Sequence, residues 1–292
     1  MRAIAILNQK GGVGKTTTSV NLAAALGRLG RRVMLVDLDP QAHATLHVGI
    51  EVAATEPSIY DVLTGRAAMA EVLRDVDEKL TIAPAHIDLA AAELELADLP
   101  DRERVLARAV APYAELFDTL IIDCAPSLGL LTINALAAVT EVIIPLNPHF
   151  LALQGLGRLL QTVNLVRSAV QPRLRVSGVA FTMAESSTKL AQEVQADVES
   201  FLGAAATDDP WFGAKIYQTK IRRNVKLAEC PSFGKTIFQY APTSHGATDY
   251  AALGDEVLHQ PEVSRCAAES ALQANARPAS EAQIIDSNFT ET

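Results

Sequence analysis

Short apolar runs alternate along most of the chain with longer segments whose apolar residues recur every three to four positions. Seven runs have the length and β-branched character of buried strands: Ala3–Leu7, Arg32–Asp37, Leu80–Pro84, Thr119–Asp123, Val142–Leu146, Val176–Thr182 and Lys215–Ile221. Between them, Thr16–Leu29, Ile59–Arg74, Arg102–Leu116, Leu130–Ala138, Ala152–Val170 and Lys189–Leu202 have helical spacing. This repetition predicts an α/β fold: a single doubly wound, mostly parallel sheet with helices on both faces. Right-handed crossovers then bring the carboxyl ends of the strands to one edge, where loops build a site. Gly203–Gly213 is small, acidic and proline-bearing and reads as a surface loop. From Pro261 onward the chain is rich in Ala, Ser, Asn and Glu with little that packs, so one domain is expected over 1–260 and a partly disordered tail over 261–292.

Composition narrows the setting. A chain of 292 residues that is 49% hydrophobic buries a substantial core. Its apolar runs stop well short of the roughly 20 residues that span a bilayer. Met1 leads directly into a strand-like segment, without the charged start and apolar stretch of an export signal, so the expected location is cytoplasmic. No helix-turn-helix extension precedes the first loop, and operator-specific repression is not expected. Cys124, Cys230 and Cys266 lie far apart, with neither a CxxC pair nor a metal-ligand spacing, and read as structural thiols. The formal charge of −9 argues against a protein coated in nucleic acid but leaves room for a local basic patch.

The first loop reads NQKGGVGKTT, Asn8–Thr17. It departs by one residue from the phosphate-loop pattern G-x-x-x-x-G-K-[ST], because Gln9 stands where the first glycine belongs and a second lysine, Lys10, follows it. Gly11, Gly12 and Gly14, with Val13 between them, permit a tight turn that aims successive N–H groups at phosphate oxygens. The helix opening near Lys15 adds its N-terminal partial positive charge. Lys15 is placed to reach β and γ phosphates, Thr16 to offer its hydroxyl to a bridging Mg²⁺, and Thr17 to complete the cradle for ATP. In TLIID the strand ends at Asp123, the expected place for an aspartate that supports the metal's water shell. Many ATPases follow that aspartate with a glutamate that activates water, whereas Cys124 and Ala125 follow here. Asp39 in DLDPQ, at the same sheet edge, is the candidate for orienting the water and joins Thr16 and Asp123 in the metal set; the alternative is a turn residue before Pro40.

NQKGGVGKTT, DLDPQ, IIDCAPSLGLLTINALAA and IRRNVKLAECPSFGKTI, in that order, resemble the ParA/Soj partition ATPases, deviant Walker A members of the P-loop NTPases. The likeness runs from about Met1 to Leu258. It implies that Lys10 matches the family's signature lysine, which reaches across a nucleotide-sandwich dimer to the partner's phosphates. The family's activity would then be slow ATP hydrolysis with Mg²⁺, an ATP-bound homodimer, nonspecific binding to nucleoid DNA and stimulation by a ParB-type centromere-binding protein. Two departures stand out: Ala42 and His43 follow DLDPQ where similar chains have Gly-Asn, which opens His43 as a base, and Arg222 replaces the proline of an IPRN segment.

From Lys215 to Lys235, Lys215, Lys220, Arg222, Arg223, Lys226 and Lys235 face only Glu229. Such a patch pairs with phosphates without reading bases, or is simply a solvated face. The resemblance implies that this stretch carries both DNA contacts and part of the base pocket. Lys220, Arg222 and Lys226 are the DNA candidates; Arg223 serves either role; Thr182, Met183, Asn224 and Pro231 are pocket candidates. Three rivals are weighed. A relative that positions another cargo on the nucleoid shares every motif. A MinD-like membrane ATPase needs a basic amphipathic end, whereas Pro261–Thr292 has two basic residues against five acidic. An iron–sulfur reductase needs paired cysteines at the nucleotide edge, where only Cys124 lies.

Overall fold

The structure is a computed structural model, and it describes residues 1–149, 152–184 and 189–260. The expected disordered tail, and Cys266 with it, lie outside the described residues. In chain order the elements are β1 (Arg2–Ile6), α1 (Lys15–Arg28), β2 (Val33–Leu38), α2 (His43–His47), α3 (Ile59–Leu63), α4 (Met69–Val72), β3 (Arg74–Asp77) and β4 (Leu80–Ala83). There follow α5 (Leu89–Leu96), α6 (Val105–Val110), β5 (Thr119–Cys124), α7 (Leu130–Ala138), β6 (Glu141–Leu146), α8 (Ala152–Ala169), β7 (Arg175–Ala184) and α9 (Lys189–Gly203). The described chain ends with β8 (Lys215–Ile216), β9 (Ile221–Arg222), α10 (Val225–Glu229), α11 (Ile237–Tyr240) and α12 (His245–His259).

The strands run β3-β4-β2-β5-β1-β6-β7-β8, with β9 pairing on β7. Every pairing is parallel except β3 with β4. This is the doubly wound, mostly parallel sheet that the alternating runs predict. Every residue of β2, β5 and β6 is buried, as strands covered on both faces require. Along β1, Ala3 and Ala5 pack into the cluster that holds Leu131, Leu136 and Leu159, while Ile4 and Ile6 join the one that holds Leu22, Leu26 and Leu253. The period of two therefore sorts one strand between two cores.

Four expectations need correction. Ile59–Arg74 is not one helix: Ser58 caps α3, Gly65 ends it at φ 74°, and after α4 the chain turns into β3, an edge strand whose charged RDVD carries no buried-strand signal. Arg102–Leu116 is helical only over Val105–Val110, with 3₁₀ turns at Arg102–Arg104 and Ala111–Tyr113, the second containing Pro112. Lys215–Ile221 is two short strands, interrupted where the N–H groups of Gln218 and Thr219 turn aside to Glu256 at 2.7 and 3.0 Å. The helices α2, α5, α10, α11 and α12 lie beyond the predicted set. Of these α12 is the consequential one, since Tyr250, Leu253 and Val257 bury its inner face against α1.

Candidate functional site

The β1–α1 loop lies at the carboxyl edge of the sheet. Asn8 anchors its start, donating from Nδ2 to the Pro145 carbonyl at 2.7 Å and accepting the Lys10 N–H at 3.0 Å. Gly12 and Gly14 take φ values of 72° and 81°, the left-handed region that glycine enters without strain. Gly14 occupies the N-cap of α1 and has no side chain with which to cap it, so the first-turn N–H groups are left for a ligand. Lys15 is buried, its Nζ 3.2 Å from the Lys10 carbonyl. Burial holds its ammonium below the ordinary lysine range, with Asp123 and Asp39 acting in the opposite sense.

Asp123 ends the middle of the sheet. It accepts Thr16 Oγ1 at 2.8 Å and Ser19 Oγ at 2.7 Å, and its register partner on β2 is Asp37. Asp37 in turn accepts Thr45 N–H at 2.8 Å and Thr45 Oγ1 at 2.7 Å. Both carboxyls are fully buried, and desolvation pushes Asp37 up to about 6 and Asp123 up to about 7; the charge of Asp37 adds to the rise at Asp123. Asp39 is also buried and accepts the Gln41 N–H at 2.9 Å. The neighbourhood of Lys15 is thus short of positive charge. Among the described residues no three His, Cys, Asp or Glu side chains converge as a protein-only metal cage. A hydroxyl beside one carboxylate is instead the donor set of a magnesium ion that keeps its waters.

Beside this cradle opens a cleft of about 780 Å³, lined by Gly14 and Thr17 from the loop and helix, and by Thr182, Met183, Arg223 and Asn224 on its far side. Thr182 Oγ1 donates to the Val13 carbonyl at 2.8 Å and so ties β7 to the loop. Met183 takes a left-handed φ of 52°, and Asn147 Nδ2 lies 3.7 Å from its Sδ. Pro231 is not part of this lining: it stands in a 3₁₀ turn, Cys230–Phe233. That turn approaches the end of α2, where Gly234 meets Gly49 backbone to backbone.

Residues 1–176 match a family model described as an AAA domain. Over 257 residues, 88% of this chain and 98% of the relative, the sequence is 46% identical to the sporulation initiation inhibitor protein Soj of Bacillus subtilis. Over 258 residues, 88% of this chain and 96% of the relative, it is 45% identical to the chromosome-partitioning ATPase Soj of Thermus thermophilus. The chain belongs to the Soj/ParA family. Among solved structures, cobyrinic acid a,c-diamide synthase from Mycobacterium smegmatis with bound ADP and magnesium superposes with a TM-score of 0.73 at 36% identity, covering 88% of this chain and 94% of that one.

In this Soj/ParA chain the side chains of the remaining candidates engage other partners. Lys10 is exposed, and its Nζ touches His149 Nε2. Lys220 Nζ donates to Gln195 Oε1 at 2.5 Å, and Lys226 Nζ pairs with Glu229 at 2.9 Å. Arg222 is engaged by Asp249. Sequence reasoning missed Ser19, Asn147, Pro148 and Tyr250. Asn147 and Pro148 immediately follow a buried strand at the site edge, which is a usable signal; Tyr250 carries none beyond helical spacing. No helix among the described residues is long and apolar enough to cross a membrane.

Proposed function

We propose that this chain is an ATPase of chromosome or plasmid partitioning that dimerises with ATP and binds DNA without sequence preference in that state. A ParB-type partner stimulates hydrolysis and so releases it. The observation that carries this reading is the grouping of Lys15, Thr16 and Asp123 next to a cleft, lined by their neighbours Gly14 and Thr17, with room for a nucleoside. Lys15 and the loop N–H groups hold the phosphates, the far wall of the cleft holds the base, and Asp39 orients the attacking water. Thr16 and Asp123 hold Mg²⁺, which neutralises phosphate charge when bound. The M. smegmatis structure with ADP and magnesium, at 36% identity, supports this assignment of ligands.

Lys10 acts in trans. Its exposed side chain, in contrast to the buried Lys15, supports a role opposite a second copy. The γ-phosphate then sets assembly, and two copies of the basic stretch from Lys215 to Lys235 gain from effective concentration on DNA. Lys220, Arg222, Arg223 and Lys226 are the contacts proposed for phosphates; Asp249 holds Arg222. The protein works in the cytoplasm on the nucleoid, with no membrane.

The test is DNA binding with ATP, with ADP and without nucleotide across a salt series. Binding is expected only with ATP, with log affinity falling steeply against log salt. Lys10→Ala should hold ATP yet stay monomeric by light scattering and lose DNA. Binding to DNA that ignores nucleotide, or a stable ATP dimer of Lys10→Ala, would overturn the scheme.

A further inference from the structure

The helix α12 bridges the phosphate-loop helix and the chain that follows β8. On one side it packs on α1: Tyr250, fully buried, places its hydroxyl 3.1 Å from Thr18 Oγ1, and Gly254 sits so close to Ala25 that an added Cβ would lie 2.7 Å from the Ala25 Cβ. On the other side it grips the segment that becomes the far wall of the cleft. Glu256 accepts the N–H groups of Gln218 and Thr219, and Gln260 accepts the Tyr217 hydroxyl at 2.9 Å. Asp249, 6% exposed, accepts the Arg222 N–H at 3.0 Å. It also accepts Arg222 Nε at 3.1 Å and the terminal guanidinium nitrogen at 2.5 Å.

The last contact is the strongest by chemistry. A buried carboxylate that takes a two-pronged guanidinium and the same residue's backbone N–H fixes that residue in both position and orientation. A proline at position 222 would supply neither donor. Arg222 sits between Ile221 and Arg223, and all three line the cleft, as does Asn224. These residues belong to β9, only two residues long, and to the turn into α10, so the sheet alone holds them weakly.

We propose that Asp249 is a positioning residue for nucleotide: through Arg222 it latches the base-side wall onto the helix that packs on the phosphate-loop helix, and so sets how tightly nucleotide is held. Asp249 is absent from the cleft lining, so it acts through Arg222. An unlatched wall must be ordered at the moment of binding, which weakens affinity without altering groups at the phosphates. The latch rests on the nucleotide-binding function proposed above.

The test measures ATP affinity and ATP hydrolysis against ATP concentration in the full chain. Asp249→Asn is expected to raise Kd and KM for ATP about tenfold, with kcat within about twofold of wild type. Arg222→Gln should shift KM in the same direction, and the double variant should be no worse than the worse single one. A role confined to folding would lower Tm with KM unmoved, or lower kcat along with affinity, and either result in Asp249→Asn overturns the latch. Should Asp249→Asn fail to fold, Arg222→Gln decides, since its side chain is 44% exposed and an unchanged KM there has the same force. A wild type that fails to bind ATP overturns the function itself, and the latch with it. A wild type that binds ATP beside an Asp249→Asn of equal affinity overturns the latch alone.

Discussion

The side of the cleft proposed for phosphate comes from one continuous stretch, Asn8–Ser19, closed by the ends of β2 and β5, whereas the side proposed for the base comes from Asn147–Pro148, the end of β7, β9, the start of α10 and Tyr250. On the first side polar groups answer one another within a few residues, as around Asn8 and Asp37, or converge on the single strand-end carboxylate Asp123 from the helix beside it. On the second, short elements that the sheet barely holds are secured by side chains from far along the chain. The difference teaches where each kind of substitution should register. On the proposed function, changes in the cradle should strike activity, because its groups would address ligand. Changes behind the wall strike folding or affinity, because its groups address one another.

The largest effect expected lies in the cradle. Asp39→Ala should lower the ATP hydrolysis rate by about a hundredfold or more while ATP binding persists, the scale of a lost water-positioning or base group. Normal turnover in that variant would move the role elsewhere. Lys15→Ala should weaken ATP binding about a hundredfold, as loss of a charge-assisted bond to phosphate implies, and equilibrium binding of ATP reads it directly.

Behind the wall the readout is stability. Gly234 has φ 60°, and a Cβ there would lie 2.6 Å from the Gly49 Cα, backbone against backbone. Gly234→Ala should therefore cost about 3 kcal/mol through clash and strained backbone, a fall in Tm of about 10 °C. An unchanged melting temperature would mean that the contact between the end of α2 and the 3₁₀ turn at Cys230–Phe233 is easily remade, and the contrast between the two sides would weaken.

The smallest effect concerns His47, buried at the end of α2 with Nε2 lacking a hydrogen-bond partner. Burial pushes its imidazole down to about 4 from 6.5. The folded state keeps it neutral while the unfolded chain takes up a proton below pH 6.5, so its contribution is full above 6.5 and is lost as pH falls toward 4. Between pH 6.5 and 5 the loss is about 2 kcal/mol. Asp37 and Asp123, raised by burial, act in the opposite sense over the same window, so the comparison is wild type against His47→Phe. Denaturant melts should show the variant's stability falling less from pH 6.5 to 5, and parallel curves would remove His47 from the account.

Much of the cradle is legible in the sequence because its chemistry is local. Gly12 and Gly14 must reach positive φ, Lys15 and Thr16 must follow them directly, and an aspartate must end a strand; each demand falls on consecutive residues and so leaves a pattern. The sheet is legible for a similar reason, since fully buried parallel strands read as apolar runs whatever their partners. Pro231 shows where such a pattern stops being informative: it follows α10 in a 3₁₀ turn and is not among the residues that line the cleft, and residues close in sequence need not share one wall. The charged β3 escapes notice because an edge strand needs only one buried face.

By itself the sequence determined the α/β class, the phosphate loop and the strand-end carboxylate, all of which depend on backbone geometry over a few residues. Only the tertiary structure decided that Asp249 holds Arg222, that Tyr250 reaches Thr18, and that Asp37 faces Asp123. Those pairings join residues 27, 232 and 86 apart, and a local pattern carries no record of which distant side chain completes a buried hydrogen bond. That choice is made when the sheet and α12 close on the two cores and each buried polar group must find its partner.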